Sequence, residues 1–129
     1  MASVLLVNED AVTRMLFAER LRRHQLSTLL AGNFVEACAV ADRHDVVIVV
    51  LQLNRAGGNG FDILRKLRAR YRTVRIAVTT DWMEPAVERL AHRLGADVVL
   101  RTPFTAEQLT AVDQLLAAPL LSPAQSPTC

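Results

Sequence analysis

The polar residues best placed to do chemistry follow directly on short apolar runs. Asn8, Glu9 and Asp10 come after Val4–Val7, and Gln52 comes after Val46–Leu51. Thr79 and Thr80 close the run that begins at Arg75, and Arg101 and Thr102 close the one that begins at Val98. These residues offer carboxylates, amides, hydroxyls and a guanidinium but no nucleophile–base pair, so no catalytic set is expected. His24, His44 and His92 are dispersed and supply no histidine ligand set. Cys38 and Cys129, the only cysteines, give neither a disulfide framework nor metal-ligand spacing. Cys38 falls in an apolar helical stripe and reads as a small buried thiol. Gly57, Gly58 and Gly60 do not spell G-x-G-x-x-G and follow a strand, so they read as a turn into a helix.

The elements that must position these residues are legible in the hydrophobic pattern. Val4–Val7 is wholly apolar, as a strand buried on both faces should be. Ala11–His24 reads as a helix with Met15, Leu16 and Leu21 inward and Arg14, Arg20, Arg22 and Arg23 outward. Leu26–Ala31 is a second strand, and Asn33 caps a helix carrying Phe34, Ala37, Cys38 and Ala41. Val46–Leu51, six aliphatic residues together, is the central strand. A loop from Asn54 to Gly60 leads into a helix with Phe61, Leu64, Leu67 and Tyr71 on one side. Arg75–Thr79 is the fourth strand. Pro85 then opens a helix whose buried stripe is Val87, Leu90, Ala91 and Leu94, with Gly95 as its C-cap. Val98–Arg101 is the fifth strand. Thr105 and Gln108 form a capping box for a last helix with Leu109, Val112, Leu115 and Leu116.

Five strands, each followed by a helix, imply a three-layer α/β sandwich around a parallel, doubly wound sheet. Such sheets bind at the carboxyl ends of their strands. That rule gathers Asn8, Glu9, Asp10, Gln52, Thr79, Thr80, Arg101 and Thr102 on one rim. Thr79 reads there as a hydroxyl satisfying a loop amide. Arg55 and Arg101 bring positive charge that would meet an anion, against the commoner fate of a solvated arginine. Trp82, just beyond the fourth strand, reads equally as a partner anchor or as a half-buried loop residue.

At 129 residues the chain suits one domain, and 51% hydrophobic residues suffice for a core. The net charge of +2 calls for no nucleic-acid partner. The N-terminus lacks a basic signal-peptide region, and no apolar run approaches the roughly 20 residues of a membrane span. A cytoplasmic protein is expected. Residues 1–118 form the expected domain. Residues 119–129, with three prolines among serines, form an expected flexible tail from which Leu120 and Leu121 could still dock.

From about residue 3 to 117 the chain resembles the receiver domain of two-component response regulators. The signposts are Val-Leu-Leu-Val before an acidic cluster, the Gln52–Phe61 loop with its glycines, Leu94-Gly95-Ala96-Asp97 before the fifth strand, and Thr102-Pro103-Phe104. Their order and spacing together are specific. The resemblance implies a flavodoxin-like fold with strand order 2-1-3-4-5. It also implies a pocket in which three acids hold Mg²⁺, one of them accepts a phosphoryl group, and a hydroxyl and a lysine bind it.

Position by position this chain departs from that pocket. Asn8 and Glu9 stand at the two first-strand acids, Gln52 at the phosphoacceptor, Thr79 at the hydroxyl, Thr102 at the lysine and Val99 at the switch aromatic. A neutral amide cannot form an acyl phosphate. A single carboxylate is also a poor Mg²⁺ site, so no metal and no cofactor are expected. Asn8 and Gln52 are expected to hydrogen-bond each other or the loops.

The resulting expectation is a pseudo-receiver: a non-enzymatic, phosphorylation-independent signalling module that binds protein. Family resemblance places its interaction face on the fourth helix, fifth strand and fifth helix, including Arg89, His92, Val99 and Gln108. The partner would be a histidine kinase, another regulator or a second copy, giving a homodimer through that face. The alternative is a sensor of a small anionic ligand, held by Arg55, Arg101, Thr79 and Thr102. A residual enzyme of flavodoxin-like fold ranks third.

Overall fold

The computed structural model describes residues 2–54 and 60–117. The expected tail, Arg55 and the glycines Gly57 and Gly58 lie outside the described residues. Five strands alternate with five helices: β1 (Ser3–Val7), α1 (Ala11–Arg23), β2 (Ser27–Ala31), α2 (Phe34–Ala41), β3 (Val46–Gln52), α3 (Gly60–Arg70), β4 (Arg75–Thr80), α4 (Pro85–Leu94), β5 (Val98–Arg101) and α5 (Ala106–Ala117). All strand pairs are parallel, in the order β2-β1-β3-β4-β5. The expected doubly wound α/β fold is the observed one.

Side-chain alternation along the strands builds two cores. Leu5, Val7, Val49, Leu51, Ile76 and Val78 face α2, α3 and α4, meeting Ala37, Leu64, Leu67 and Ala91. Val4, Leu6, Ile48 and Val50 face α1 and α5, meeting Phe17, Leu21, Val112 and Leu116. The central strands are therefore apolar on both faces, which is why they read as continuous hydrophobic runs. A Cβ on Gly60 would lie 2.3 Å from the Leu53 carbonyl oxygen, so only glycine lets α3 start this close to the end of β3.

Several local expectations need correction. Met15 is 73% exposed, not inward; α1 buries Thr13, Phe17 and Leu21 instead, and Leu16 is half-buried. Thr13, Phe17 and Leu21 stand four residues apart on one face of the helix, and Phe17 contacts Phe104 edge-on at 6.2 Å. Cys38 is half-buried rather than buried. Thr105 does cap α5 by accepting from the Gln108 amide at 3.2 Å. Gln108 does not complete the box, because its side-chain oxygen accepts from the Arg101 amide of β5 at 2.9 Å. Among the described residues no helix is long and apolar enough to cross a membrane.

Candidate functional site: a carboxylate–hydroxyl pair at the strand ends

At the carboxyl end of β1 the backbone of Asn8 turns left-handed, with φ 62°, a conformation Asn tolerates better than most residues. Glu9 follows it into the interior and is only 4% exposed. The Thr79 hydroxyl, fully buried at the end of β4, donates to the Glu9 carboxylate, lying 2.8 Å from Oε2 and 3.0 Å from Oε1. Thr79 thus satisfies a buried carboxylate. The expectation that it serves a loop amide is corrected. A hydroxyl donating to an ionised carboxylate makes a stronger hydrogen bond than one donating to a neutral carbonyl.

Gln52 lies beside this pair, its backbone in register with Thr79 across β3 and β4. Its side-chain oxygen accepts from the Asn54 amide at 3.3 Å, so it serves the loop, as expected. The Asn54 side chain in turn donates to Asp81 at 2.5 Å, bridging the loops after β3 and β4. Sequence reasoning did not single out that bridge. Its only signal was a polar residue just beyond each strand.

The other expected rim residues are spent elsewhere. Asp10 is exposed and caps α1, accepting from the Thr13 amide at 2.7 Å, so its carboxylate is directed to the helix start. Thr102 enters through its backbone, its amide donating to the Thr80 carbonyl at 2.9 Å. Arg101 does not wait for an anion. It donates to Glu88 at 3.0 Å and to the Trp82 carbonyl at 2.9 Å. Trp82 stacks on Phe61 with centroids 6.0 Å apart, and its amide donates to the Thr80 hydroxyl. The loop between β4 and α4 is thereby held from three sides.

On the β2 side of Glu9 a cleft of about 270 Å³ opens between Asn8, Arg14, Gly32 and Glu36. Arg14 brings to it the kind of positive charge the sequence placed on Arg101.

The donor set does not fit the divalent cation that the resemblance implies. Mg²⁺ takes six oxygen ligands in near-octahedral order, several of them water, and is anchored by carboxylates that must be free to face it. Among the described residues Glu9 is the one buried carboxylate, and the Thr79 hydroxyl hydrogen is already directed at its oxygens. Among the described residues no three acidic, histidine or cysteine side chains converge on a metal position.

Toward the β5 edge of the sheet, Arg89 and His92 are exposed on α4. The His92 ring shares a hydrogen bond with the Ala96 carbonyl at 2.9 Å and lies 3.9 Å from Glu88. Val99 is half-buried and packs against the core. Gln108 is half-buried and occupied by Arg101. Of the expected interaction face, the two α4 residues are those presented outward.

A doubly wound five-stranded sheet with its polar cluster at the carboxyl ends of β1, β3 and β4 defines the class: a flavodoxin-like α/β domain. The chain belongs to the response regulator receiver domain family, whose family model matches residues 4–113. It is 29% identical over 108 residues to the regulatory protein VirG of Agrobacterium tumefaciens, covering 84% of this chain and 40% of that one. It is 30% identical over 112 residues to the sensory transduction protein RegX3 of Mycolicibacterium smegmatis, covering 86% and 48%. The chain therefore spans less than half the length of these two relatives. The chemotaxis protein CheY4 of Vibrio cholerae shares the fold, with a TM-score of 0.75 and 24% identity over 90% of this chain and 98% of that one.

Proposed function

We propose that this receiver domain signals without being phosphorylated and acts by binding protein. The observation that carries the reading is the Glu9–Thr79 pair. The hydroxyl that would bind a phosphoryl group is turned onto the carboxylate that would bind the metal. Gln52, at the position where the resemblance puts the phosphoacceptor, is an amide bonded to its own loop. An amide oxygen is no nucleophile for phosphoryl transfer, so the domain is read as having no enzymatic role and needing no metal.

In this reading the receiver unit of residues 1–118 has one resting state. The Asn54–Asp81 bridge, the Phe61–Trp82 stack and the Arg101 contacts hold the loops in place. The partner, a kinase or another regulator, would meet α4, β5 and α5, where Arg89 and His92 stand outward. A ligand sensor is the weaker reading, because Arg101, one of the two arginines it needs, is engaged by Glu88.

The test is a ¹⁵N–¹H correlation spectrum titrated with Mg²⁺ and then beryllofluoride, which mimics a phosphoryl group on Asp. Amides of Glu9, Gln52 and Thr79 are expected to stay in place. Saturable, Mg²⁺-dependent shifts at those amides would overturn the reading.

A further inference from the structure

The turns that lead into β3, β4 and β5 stand at the amino ends of these strands, opposite the rim that carries the pocket. The three strands are neighbours in the sheet, so the turns lie side by side across about 10 Å. Each carries or adjoins an exposed arginine: Arg43 between α2 and β3, Arg72 between α3 and β4, and Arg93 at the end of α4. Glu88 leaves α4 toward β5 to meet Arg101, and Arg93, five positions on, emerges about 140° round the helix, on the flank toward α3.

The acids of these turns are engaged from within. Asp42 accepts from Arg70 at 2.6 Å and from the Tyr71 hydroxyl at 2.8 Å. Asp97 accepts from Arg68 and from the Ile76 amide, both at 2.8 Å. These bonds clasp the turns to one another, and Asp45 is the one acid in them whose side chain has no such bond among the described residues. The guanidinium groups of Arg43, Arg72 and Arg93 likewise have no hydrogen-bond or ion-pair partner among the described residues. Arginines at helix ends often serve the last carbonyls. At the end of α3 that task falls to Arg68, which donates to the carbonyls of Tyr71, Arg72 and Val74. Arg43 and Arg72 lie past the last helical residues and bond no carbonyl.

We propose that this edge binds the phosphate backbone of a nucleic-acid duplex without reading its sequence. Guanidinium groups match phosphate oxygens in shape and charge, and Arg70, though held on Asp42, is exposed beside them and extends the row. A protein partner would call for apolar anchors among the arginines. None of the six large hydrophobic side chains left exposed among the described residues belongs to these turns. The same lack argues against a lipid surface, which a binding segment enters with apolar side chains. Single strands are held by bases stacked on aromatic rings, and the one aromatic in these turns, Tyr71, is half-buried with its hydroxyl engaged. What remains is charge facing charge, the term that supplies sequence-independent binding to a duplex. The net charge of +2 conceals this edge, because Glu9, Asp10, Asp81 and Glu84 follow the opposite, carboxyl ends of β1 and β4.

The test uses the full chain and short labelled DNA duplexes of two unrelated sequences, followed by fluorescence anisotropy across a salt series. Both duplexes are expected to bind alike, with log affinity falling against log salt at a slope of about −3 to −4, as about four neutralised phosphates require. Arg43→Glu, Arg72→Glu and Arg93→Glu each weaken binding to both sequences and reduce the slope by about one. Arg14→Glu makes the same charge change at an exposed arginine near the other end of the sheet and leaves the slope unchanged. All four side chains are exposed, and an unchanged thermal midpoint verifies that each variant folds. Three results overturn the proposal: no binding at low salt, an equal loss in Arg14→Glu, or a preference for phosphatidylserine vesicles or polyglutamate over the duplex.

Discussion

Glu9 and Thr79 show how a buried acid is accommodated at the strand ends. Burying a carboxylate is costly unless it is hydrogen-bonded, and the Thr79 hydroxyl is one donor the fold supplies. Thr79→Val keeps the shape but removes the donor. It is expected to destabilise the domain by about 1–3 kcal/mol, read from the urea midpoint, with Thr79→Ser nearly neutral; an unchanged midpoint would mean the pair adds nothing. A second residue-scale cluster joins α2 to α3, where the Tyr71 hydroxyl donates to Asp42 at 2.8 Å and Arg70 donates to the same carboxylate. The Tyr71 hydroxyl, and then Arg70, hold the Asp42 carboxyl below the usual carboxylate range. Burial, and then the bond to Asp42, push the Tyr71 phenol up to about 12. The depressed acid contributes stability above its unfolded value of about 3.9 and loses it as pH falls through the lower folded value. The raised phenol contributes below its unfolded value of about 10 and loses it as pH climbs from there to about 12. Tyr71→Phe is therefore expected to flatten the alkaline decline and shrink the acid one in a thermal midpoint–pH profile. An alkaline limb identical to the parent's would count against the cluster.

At the scale of elements, the joint between α3 and α4 depends on one arginine and one glycine. Arg68 donates to the Gly95 carbonyl at 3.0 Å, to the Val74 carbonyl at 2.8 Å and to Asp97 at 2.8 Å, tying the end of α3 to the turn before β5. Gly95 closes α4 at φ 122°, and a Cβ there would lie 2.5 Å from the Arg68 Cγ. Gly95→Ala meets both penalties and should cost about 1–3 kcal/mol by urea unfolding; a loss no larger than at an exposed helix position would refute the account. The C-cap role of Gly95 was legible in the sequence because it is local. Its contact with Arg68 was not, since the two residues are 27 positions apart. Met15 shows where the expectation failed on local grounds: Leu21 lies four residues after Phe17 but six after Met15, so helical spacing itself favoured Phe17, which packs edge-on against Phe104.

For the whole molecule, a pocket in which Glu9 is the one buried carboxylate among the described residues should be indifferent to divalent cations. A site with a dissociation constant of about 0.1 mM would raise stability by about 2.7 kcal/mol at about 10 mM Mg²⁺. No shift of the thermal midpoint is expected, and one of that size would show a cation site the donor set does not suggest. The sequence by itself determined the strand–helix alternation, the parallel sheet, and the place of Glu9, Gln52 and Thr79 on one rim. Each of these follows from local period and from the rule that parallel sheets expose their carboxyl ends. The tertiary structure alone decided where the long polar side chains went: Asp10 to the start of α1, Arg101 to Glu88 and Trp82, Gln108 to β5, and the Thr79 hydroxyl to Glu9. Apolar periodicity is written along the chain because every turn of helix and every strand must cover the same sheet. A hydrogen-bond partner is chosen among all the donors and acceptors that folding brings within about 3 Å, and those come from elements far apart in sequence.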